Sequence, residues 1–490
     1  MSEFSDMFSY LVRKKDIQVY AMGQYCNTDR STMYKIINGK RKPPTEEVFN
    51  KICDFMHLSP SEYEEFRITY DLTRLGRNVY YRRKNVEQFM LDCPDSTYLP
   101  SVPPLPQSTP GFLAKNWADM PPCLALTSQL EFNHVLHHIL IAESNKEEGH
   151  IGLMLQPDNE FLYGLLAGLK SAGNHLNIEQ IICLGKTEEQ EIVNLSYLKN
   201  IVPLYICSLK YDLYYYHDDI NAHYRNFNGF SCMILTSEYA ITCTSDYKSG
   251  ILYHDAKALA MMWELYTSYR DRCTPLFHPV YSVLEECNIL GNMGWDETPS
   301  YAIQPEPCLI PYITPELLER NIYPDIPGRE NMIASLTNFI IKGRKRIPNN
   351  NMHHYHTRHG IKLFAETGRL QEIPQEIYHP LSPEERIFLL DSILPYCSGG
   401  YYRLLKKPLD RMSENVHLCV NSTTGYLLFT NICNQNVYLI FKEPGLLSIF
   451  HDYAESLSDK DLYTGEETAQ YIKSVIQELK TQKGQVSRLK

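Results

Sequence analysis

The sequence predicts a multidomain protein in which an all-α head of five helices precedes an α/β or α+β body, and a body of two related halves is one alternative. Helix caps and helical periodicity fill the first 76 residues, prolines crowd the segment from residue 94, and strand-like and helix-like segments alternate beyond it. A chain of 490 residues is long enough for two or three folding units. Because 43% of the residues are hydrophobic, the chain can bury large cores, which excludes wholesale disorder.

The head is predicted to contain five short helices, because cap signals and helically spaced apolar residues recur along it. Before the third helix, Asn27 suits a left-handed turn and Asp29 can cap the first turn. Gly39 ends this helix, since the residue just beyond a helix often has a positive φ. Ser59 begins the fifth helix, because a proline follows it and a glutamate stands three residues later, which is the capping-box pattern.

The third helix has one apolar face and one polar, basic face. Met33, Ile36 and Ile37 are predicted to be buried, which directs the polar residues outward. These outward residues are Arg30, Ser31, Thr32, Tyr34 and Lys35.

The stretch Arg30–Pro44 resembles the recognition helix and following loop of the Cro/phage-repressor (XRE) helix-turn-helix domains, most specifically over Asn38–Pro43. The resemblance covers about 70 of the 490 residues. It implies that Arg30, Ser31 and Lys35 face base edges in the major groove, while the loop residues bind phosphates. The DNA-binding set that it implies is Arg30, Ser31, Thr32, Tyr34, Lys35, Asn38, Lys40, Arg41 and Lys42.

Two positions depart from the family's pattern. The glutamine that usually begins the second helix is Val19 here, and its usual Leu-Ala pair is Met22-Gly23. The alternative interpretation is a surface helical hairpin whose cations are only solvated. A second basic cluster either extends the phosphate footprint or solvates a connecting helix, and both interpretations stay open. Its members are Arg74, Arg77, Arg82, Arg83 and Lys84.

The charge of the chain is unevenly distributed. The whole chain has a net charge of −11, yet residues 1–90 carry 15 Lys and Arg against 12 Asp and Glu. A mildly basic head on an acidic body is typical of a protein whose first segment alone meets a polyanion. Eight prolines between Pro94 and Pro122 predict a stiff, extended connector after the head.

The body alternates predicted strands and helices, which indicates α/β layers. An arrangement of a strand, a short polar turn and an amphipathic helix occurs twice in the body, first at Gly250–Trp263 and again near its end at Val437–Phe450. The predicted strands are Ile151–Leu155, Ile181–Leu184, Ile201–Leu209, Ser231–Thr236, Tyr239–Thr244, Gly250–Tyr253, Val416–Val420, Thr424–Thr430 and Val437–Phe441. The predicted helices are Leu130–Ala142, Phe161–Ala172, Ala256–Tyr269 and Pro444–Leu457.

This repeated ending resembles the phospholipase-D-like sensor domains attached to some transcription regulators. Enzymes of that family need a His-x-Lys followed by Asp, but the nearest stretch, His254–Lys257, has a different spacing and no second copy. The resemblance therefore implies a binding domain, and we expect the chain not to be an enzyme, with no catalytic residue to name.

The histidine-rich run offers the main alternative chemistry. His353, His354, His356 and His359 could bind a transition metal, but the polar, turn-rich sequence before them favours a solvated loop. No metal site and no cofactor is therefore predicted.

Fourteen cysteines without a CxxC pair indicate buried thiols in a reducing cytoplasm. No apolar run approaches the ~20 residues of a membrane span, and the chain does not begin with an apolar signal core. We therefore expect a cytoplasmic protein without a membrane partner.

The sequence as a whole predicts a bacterial-type, sequence-specific transcriptional regulator that binds double-stranded DNA as a homodimer and senses an unknown small-molecule or peptide effector. Its predicted domains are a DNA-binding head at 1–76, a basic helix and linker at 77–122, and two α/β sensor or dimerisation domains at 123–305 and 306–490. The alternatives are an enzyme or toxin-like effector fused to the head, such as a degenerate phospholipase-D-like nuclease, or a phage-defence or mobile-element protein. The operator, the effector and the direction of regulation are not predicted.

Overall fold

A computed structural model describes residues 2–95, 97, 120–169, 175–185, 187–218, 231–292, 299–346 and 352–486. The chain divides into two compact units, Met1–Lys84 and Asn85–Lys490. Most of the predicted proline-rich connector, residues 98–119, lies outside the described residues.

The first unit is helical, and the five predicted helices are confirmed. Its core is aromatic, because Phe4, Phe8, Phe49, Phe66 and Tyr70 are all buried together. The helices are α1 Glu3–Lys14, α2 Val19–Tyr25, α3 Arg30–Ile37, α4 Glu46–Phe55 and α5 Pro60–Leu75, and α6, Arg77–Asp92, follows them.

The caps predicted for α3 and α5 are present, whereas Thr45, predicted to cap α4, makes no side-chain cap hydrogen bond. Asn27 has a φ of 54° and Gly39 a φ of 67°, so both sides of α3 are bounded by left-handed residues. The Asp29 side chain accepts a hydrogen bond from the Thr32 N–H, which satisfies a free donor of the first turn. Ser59 forms the predicted capping box at the start of α5.

The second unit contains two mixed sheets and the helices that cover them, as the predicted α/β class requires. In the first sheet the strands are β1 Cys123–Leu126, β2 Glu148–Met154, β3 His175–Leu184, β4 Lys210–His217, β5 Cys232–Leu235, β6 Ala240–Cys243, β7 Gly250–Tyr253 and β8 Thr274–Pro275. In the second they are β9 His278–Val280, β10 Ser300–Gln304, β11 Met352–His356, β12 Tyr402–Leu404, β13 His417–Val420, β14 Gly425–Thr430 and β15 Asn436–Phe441.

Helices connect and cover these strands. Those of the first half are α7 Gln129–Ser144, α8 Glu160–Gly168, α9 Glu188–Ile206 and α10 Ala256–Arg270. Those of the second half are α11 Val283–Asn292, α12 Pro315–Asn321, α13 Arg329–Arg346, α14 Arg358–Thr367, α15 Pro383–Cys397, α16 Pro444–Ser456 and α17 Gly465–Val486. Within the described ranges, no helix is both long enough and apolar enough to cross a membrane.

The two sheets share one topology, which establishes the two related halves. The first sheet reads β4-β3-β2-β5-β6-β7-β1 and the second reads β12-β11-β10-β13-β14-β15-β9. In both sheets the first two pairings of this order are parallel and the remaining four are antiparallel. Beyond β4 the first sheet adds β8, and the second half has an isolated antiparallel bridge between Leu405 and Leu462 in the equivalent place. A single hydrophobic core includes residues from both sheets.

Two local predictions in the body are wrong. Ile201–Leu209, predicted as a strand, is mostly the end of α9, because a short run that is apolar on every side does not distinguish a buried helix from a buried strand. The histidine-rich run is not a solvated loop: His353, His354 and His356 lie in β11, which pairs with strands on both sides.

The boundary between two body domains at residue 305 stays a prediction. Strands β9 and β10 precede this residue and belong to the second sheet.

Candidate nucleic-acid interface

Helices α2 and α3 are joined by a tight turn, which fixes the direction in which α3 presents its polar face. The Thr28 N–H donates to the Gly23 carbonyl oxygen at 2.8 Å across the turn. A Cβ at Gly23 would lie only 2.8 Å from the Thr28 carbonyl oxygen, so the close approach requires glycine. Met22 beside it is fully buried and belongs to the core of the unit.

The apolar side of α3 holds the helix in the core, and its polar side is exposed. Met33, Ile36 and Ile37 are buried as predicted, and the Ile37 carbonyl oxygen accepts a hydrogen bond from the Ser9 hydroxyl of α1. The structure leaves every predicted DNA-binding residue accessible, with only one of them, Thr32, half-buried. The exposed members are Arg30, Ser31, Tyr34, Lys35, Asn38, Lys40, Arg41 and Lys42.

The loop after α3 folds back over the end of the helix, which brings its cations next to those of the helix. The Lys35 carbonyl oxygen accepts hydrogen bonds from the N–H groups of Lys40, at 2.8 Å, and Arg41, at 3.1 Å. Gly39, with its positive φ, allows this reversal.

Polar contacts orient two of the arginines. The Arg41 guanidinium donates to the Thr32 hydroxyl at 2.9 Å, and hydrogen bonds from the side chain and N–H of Thr32 lower the pKa of Asp29. The Arg30 guanidinium lies 5.6 Å from the centre of the Tyr34 ring, within cation–π range. Thr32 and Tyr34 therefore contact the guanidinium groups of Arg41 and Arg30 and restrict their orientation.

The cations of this surface lack the acidic partners that six other cations of the same unit have. Among the residues that the structure describes, no carboxylate lies within 4.0 Å of the charged groups of Arg30, Lys35, Lys40, Arg41 or Lys42. Elsewhere in the unit ion pairs engage Lys14, Lys15, Lys51, Arg67, Arg74 and Arg77.

The two acidic residues that follow the loop form ion pairs with cations outside the α3 helix and its loop. Glu46 pairs with Arg67 at 2.7 Å, and Glu47 pairs with Lys51 at 2.6 Å. We call the five unpaired cations the α3 basic surface. Their positive charge is directed to solvent.

Two arginines of the second basic cluster are paired with carboxylates. Arg74 lies 3.8 Å from Glu46 and donates to the Tyr70 hydroxyl, and Arg77 lies 2.9 Å from Glu3. These two arginines are therefore compensated within the helical unit.

The remaining candidates from the sequence are dispersed over the second unit. His254 stacks on Tyr239 with 4.7 Å between ring centres, and the Asp255 side chain caps α10 by accepting from the N–H of Lys257. His359 lies in α14, not in β11, and contacts Glu414. In the described part of the chain, no group of three or more His, Cys, Asp or Glu side chains could hold a metal ion.

Sequence reasoning missed a set of buried ionisable residues in the second half. His354, His356, His417 and Glu372 are each no more than 6% exposed. The spacing of His354 and His356 was the available signal, because residues i and i+2 lie on the same face of a strand.

The chain matches no known protein family and no curated protein. Solved structures that resemble it include TrmBL2, an archaeal chromatin protein described with a novel mode of DNA binding, at 10% identity and a TM-score of 0.23, covering 56% of this chain and 100% of that one. A phosphatidylserine synthase from Haemophilus influenzae matches at 11% identity and a TM-score of 0.25, over 83% of this chain and 99% of that one. A polyphosphate kinase from Porphyromonas gingivalis matches at 11% identity and a TM-score of 0.22, over 84% and 57%.

The expectation that the chain is not an enzyme is contradicted, because two of these matched structures are enzymes, and we withdraw it. TM-scores of 0.25 and below assign no reaction, substrate or partner to this chain.

Proposed function

We propose that the helical unit binds duplex DNA in a sequence-specific manner, with α3 in the major groove and the loop after it on the phosphate backbone. The observation that carries this proposal is the α3 basic surface, whose five cations lack acidic partners while six other cations of the unit are paired. Arg30 and Lys35 on the helix can address guanine O6 and N7, and Lys40 and Lys42 in the loop can neutralise phosphates.

The whole chain, on this proposal, is a cytoplasmic transcriptional regulator of the XRE type, with residues 1–76 as its DNA-binding domain. The body would sense an effector and join two copies, because one head offers few base contacts and paired half-sites about 34 Å apart supply more. An effector that favours one arrangement of the two heads would then change occupancy of the paired sites.

Two substitutions separate base reading from phosphate binding. Arg30→Ala should weaken binding by ~1–3 kcal/mol and relax the preference at one base pair, because a base contact is lost. Lys40→Ala should weaken binding to all sequences alike and reduce the salt slope by ~1. Both are measured by fluorescence anisotropy at several stated salt concentrations, on a duplex selected from random genomic fragments and on its scrambled version.

Lys51→Ala is the matched control. It removes the same charge from the same unit, but from a lysine on α4 that is already paired with Glu47. Its affinity should stay close to that of the wild type. If Lys51→Ala weakens binding as much as Lys40→Ala, the contribution is nonspecific charge. If Arg30→Ala lowers affinity equally on both duplexes, α3 does not read bases.

A further inference from the structure

The second half contains a cavity of about 80 Å³ between one face of its sheet and helix α13. Strands β11, β13, β14 and β15 contribute the floor through Met352, Cys419 and two tyrosines, and α13 contributes Phe339, Ile340 and Gly343 as the cover. The lining is therefore mostly hydrocarbon and aromatic ring.

Two buried polar groups reach this cavity. Glu372 is 6% exposed, its carboxyl is hydrogen-bonded by the Cys308 thiol, and burial raises its pKa to about 7. His354 is 2% exposed, and its Nδ1 has no hydrogen-bond partner in the described structure. Burial lowers the pKa of His354 to about 3, so its ring is neutral and has one nitrogen free of a proton.

The charge of the lining restricts the chemistry of an occupant. No lysine or arginine lines the cavity as described, so a buried anion would have no counter-charge. Glu372 has no cationic partner within 4.0 Å in the described part of the chain. The lining also includes the aromatic rings of Tyr401, Tyr426 and Tyr438, and the face of such a ring attracts an organic cation.

We propose that this cavity binds a small organic ammonium ligand, whose nitrogen is held by Glu372 and His354 and whose hydrocarbon part packs against α13. An ammonium group supplies both the positive charge that a buried carboxylate needs and the hydrogen-bond donor that an unprotonated imidazole nitrogen needs. The site would be the first candidate for an effector, but ligand binding here does not depend on DNA binding by the helical unit.

The test uses the full chain without DNA and three probes of similar size: isobutylammonium, isobutanol and isobutyrate. Binding is measured by calorimetry at pH 8, with the thermal midpoint as a second readout. We expect isobutylammonium to bind at least tenfold more tightly than isobutanol, and isobutyrate not to bind. Equal binding of the three probes, or no binding because ordered water fills the cavity, would overturn the proposal.

Variants locate the binding to the cavity. Glu372→Gln should weaken isobutylammonium binding about tenfold or more and leave isobutanol unchanged, because only the charge is lost. Glu376→Gln removes an exposed carboxylate near it in sequence and should have no effect. Gly343→Leu should abolish binding of both probes by filling the cavity, which tests the site even if Glu372→Gln fails to fold. Unchanged affinity in Gly343→Leu would place the binding elsewhere.

Discussion

Replacing His356 with glutamine tests whether the buried histidines of the second sheet are neutral in the folded protein. His356 pairs with Gln304 across β11 and β10, and the pairing of Ile303 with Leu418 puts His417 at the next position on β13. His356, Gln304 and His417 therefore form one row on one face of three adjacent strands.

Burial lowers the pKa of His356 and of His417 to about 3. In the unfolded chain an ordinary histidine has a pKa of about 6.5. Between pH 6.5 and pH 3 the unfolded state thus binds a proton that the folded state does not, so stability is lost as the pH falls.

The size of the effect follows from 1.36 kcal/mol per pKa unit. Between pH 7 and pH 5 one such histidine costs the folded state about 2 kcal/mol. His356→Gln removes this cost together with the imidazole. The destabilisation caused by the substitution, measured at pH 7, should therefore shrink by about 2 kcal/mol at pH 5. The buried carboxyls Glu306 and Glu372, whose pKa values are raised by burial, titrate in both proteins and cancel in this comparison.

The assay is urea unfolding of the full chain with pulsed hydrogen exchange, which isolates peptides of β10, β11 and β13 from the helical unit. His175→Gln, at an exposed position of β3, is the control and should change the stability of the second sheet little. His417→Gln should behave as His356→Gln does, and provides a second test if the first variant does not fold. A destabilisation that is the same at pH 7 and pH 5, or larger at pH 5, would refute the argument that these imidazoles are neutral and buried.

Two further pairs of substitutions test local structure. Gly360→Ala would put a Cβ 2.0 Å from the Pro305 carbonyl oxygen, so it should lower stability by about 3 kcal/mol or more, seen as a lower thermal midpoint, whereas Gly399→Ala, whose Cβ meets nothing nearer than 3.8 Å, should be tolerated. Asp29→Ala should cost the helical unit about 1 kcal/mol by hydrogen exchange, and more than Thr45→Ala, because Thr45 makes no side-chain cap bond at α4. Equal effects within either pair would contradict the corresponding argument.

The helical unit could be predicted closely because its signals are local. Each of these signals acts within one helical turn, so it can be recognised from neighbouring residues alone. They are the capping box at Ser59, the left-handed residue Asn27 and the glycine at position 39. The exposure of Arg30 and Lys35 followed from the same periodicity, since Met33 and Ile36 had to face the core.

The sequence predicted the α/β fold class of the second unit, but not all of its elements or its strand order. Ile201–Leu209 was mistaken for a strand because its apolar residues surround the helix axis, and nothing local distinguishes a buried helix from a buried strand there. The common strand order of the two halves was only suggested by their repeated endings, because it depends on pairings between residues far apart in the chain.

The sequence by itself determined the five helices of the head, their caps and the basic character of α3, because each depends on residues within a few positions of one another. Only the tertiary structure decided which cations lack acidic partners, that the β11 histidines are buried, and that Glu372 and His354 meet in one cavity. These properties arise from contacts between distant segments, and the solvent exposure and electrostatic environment of a side chain are set by such contacts.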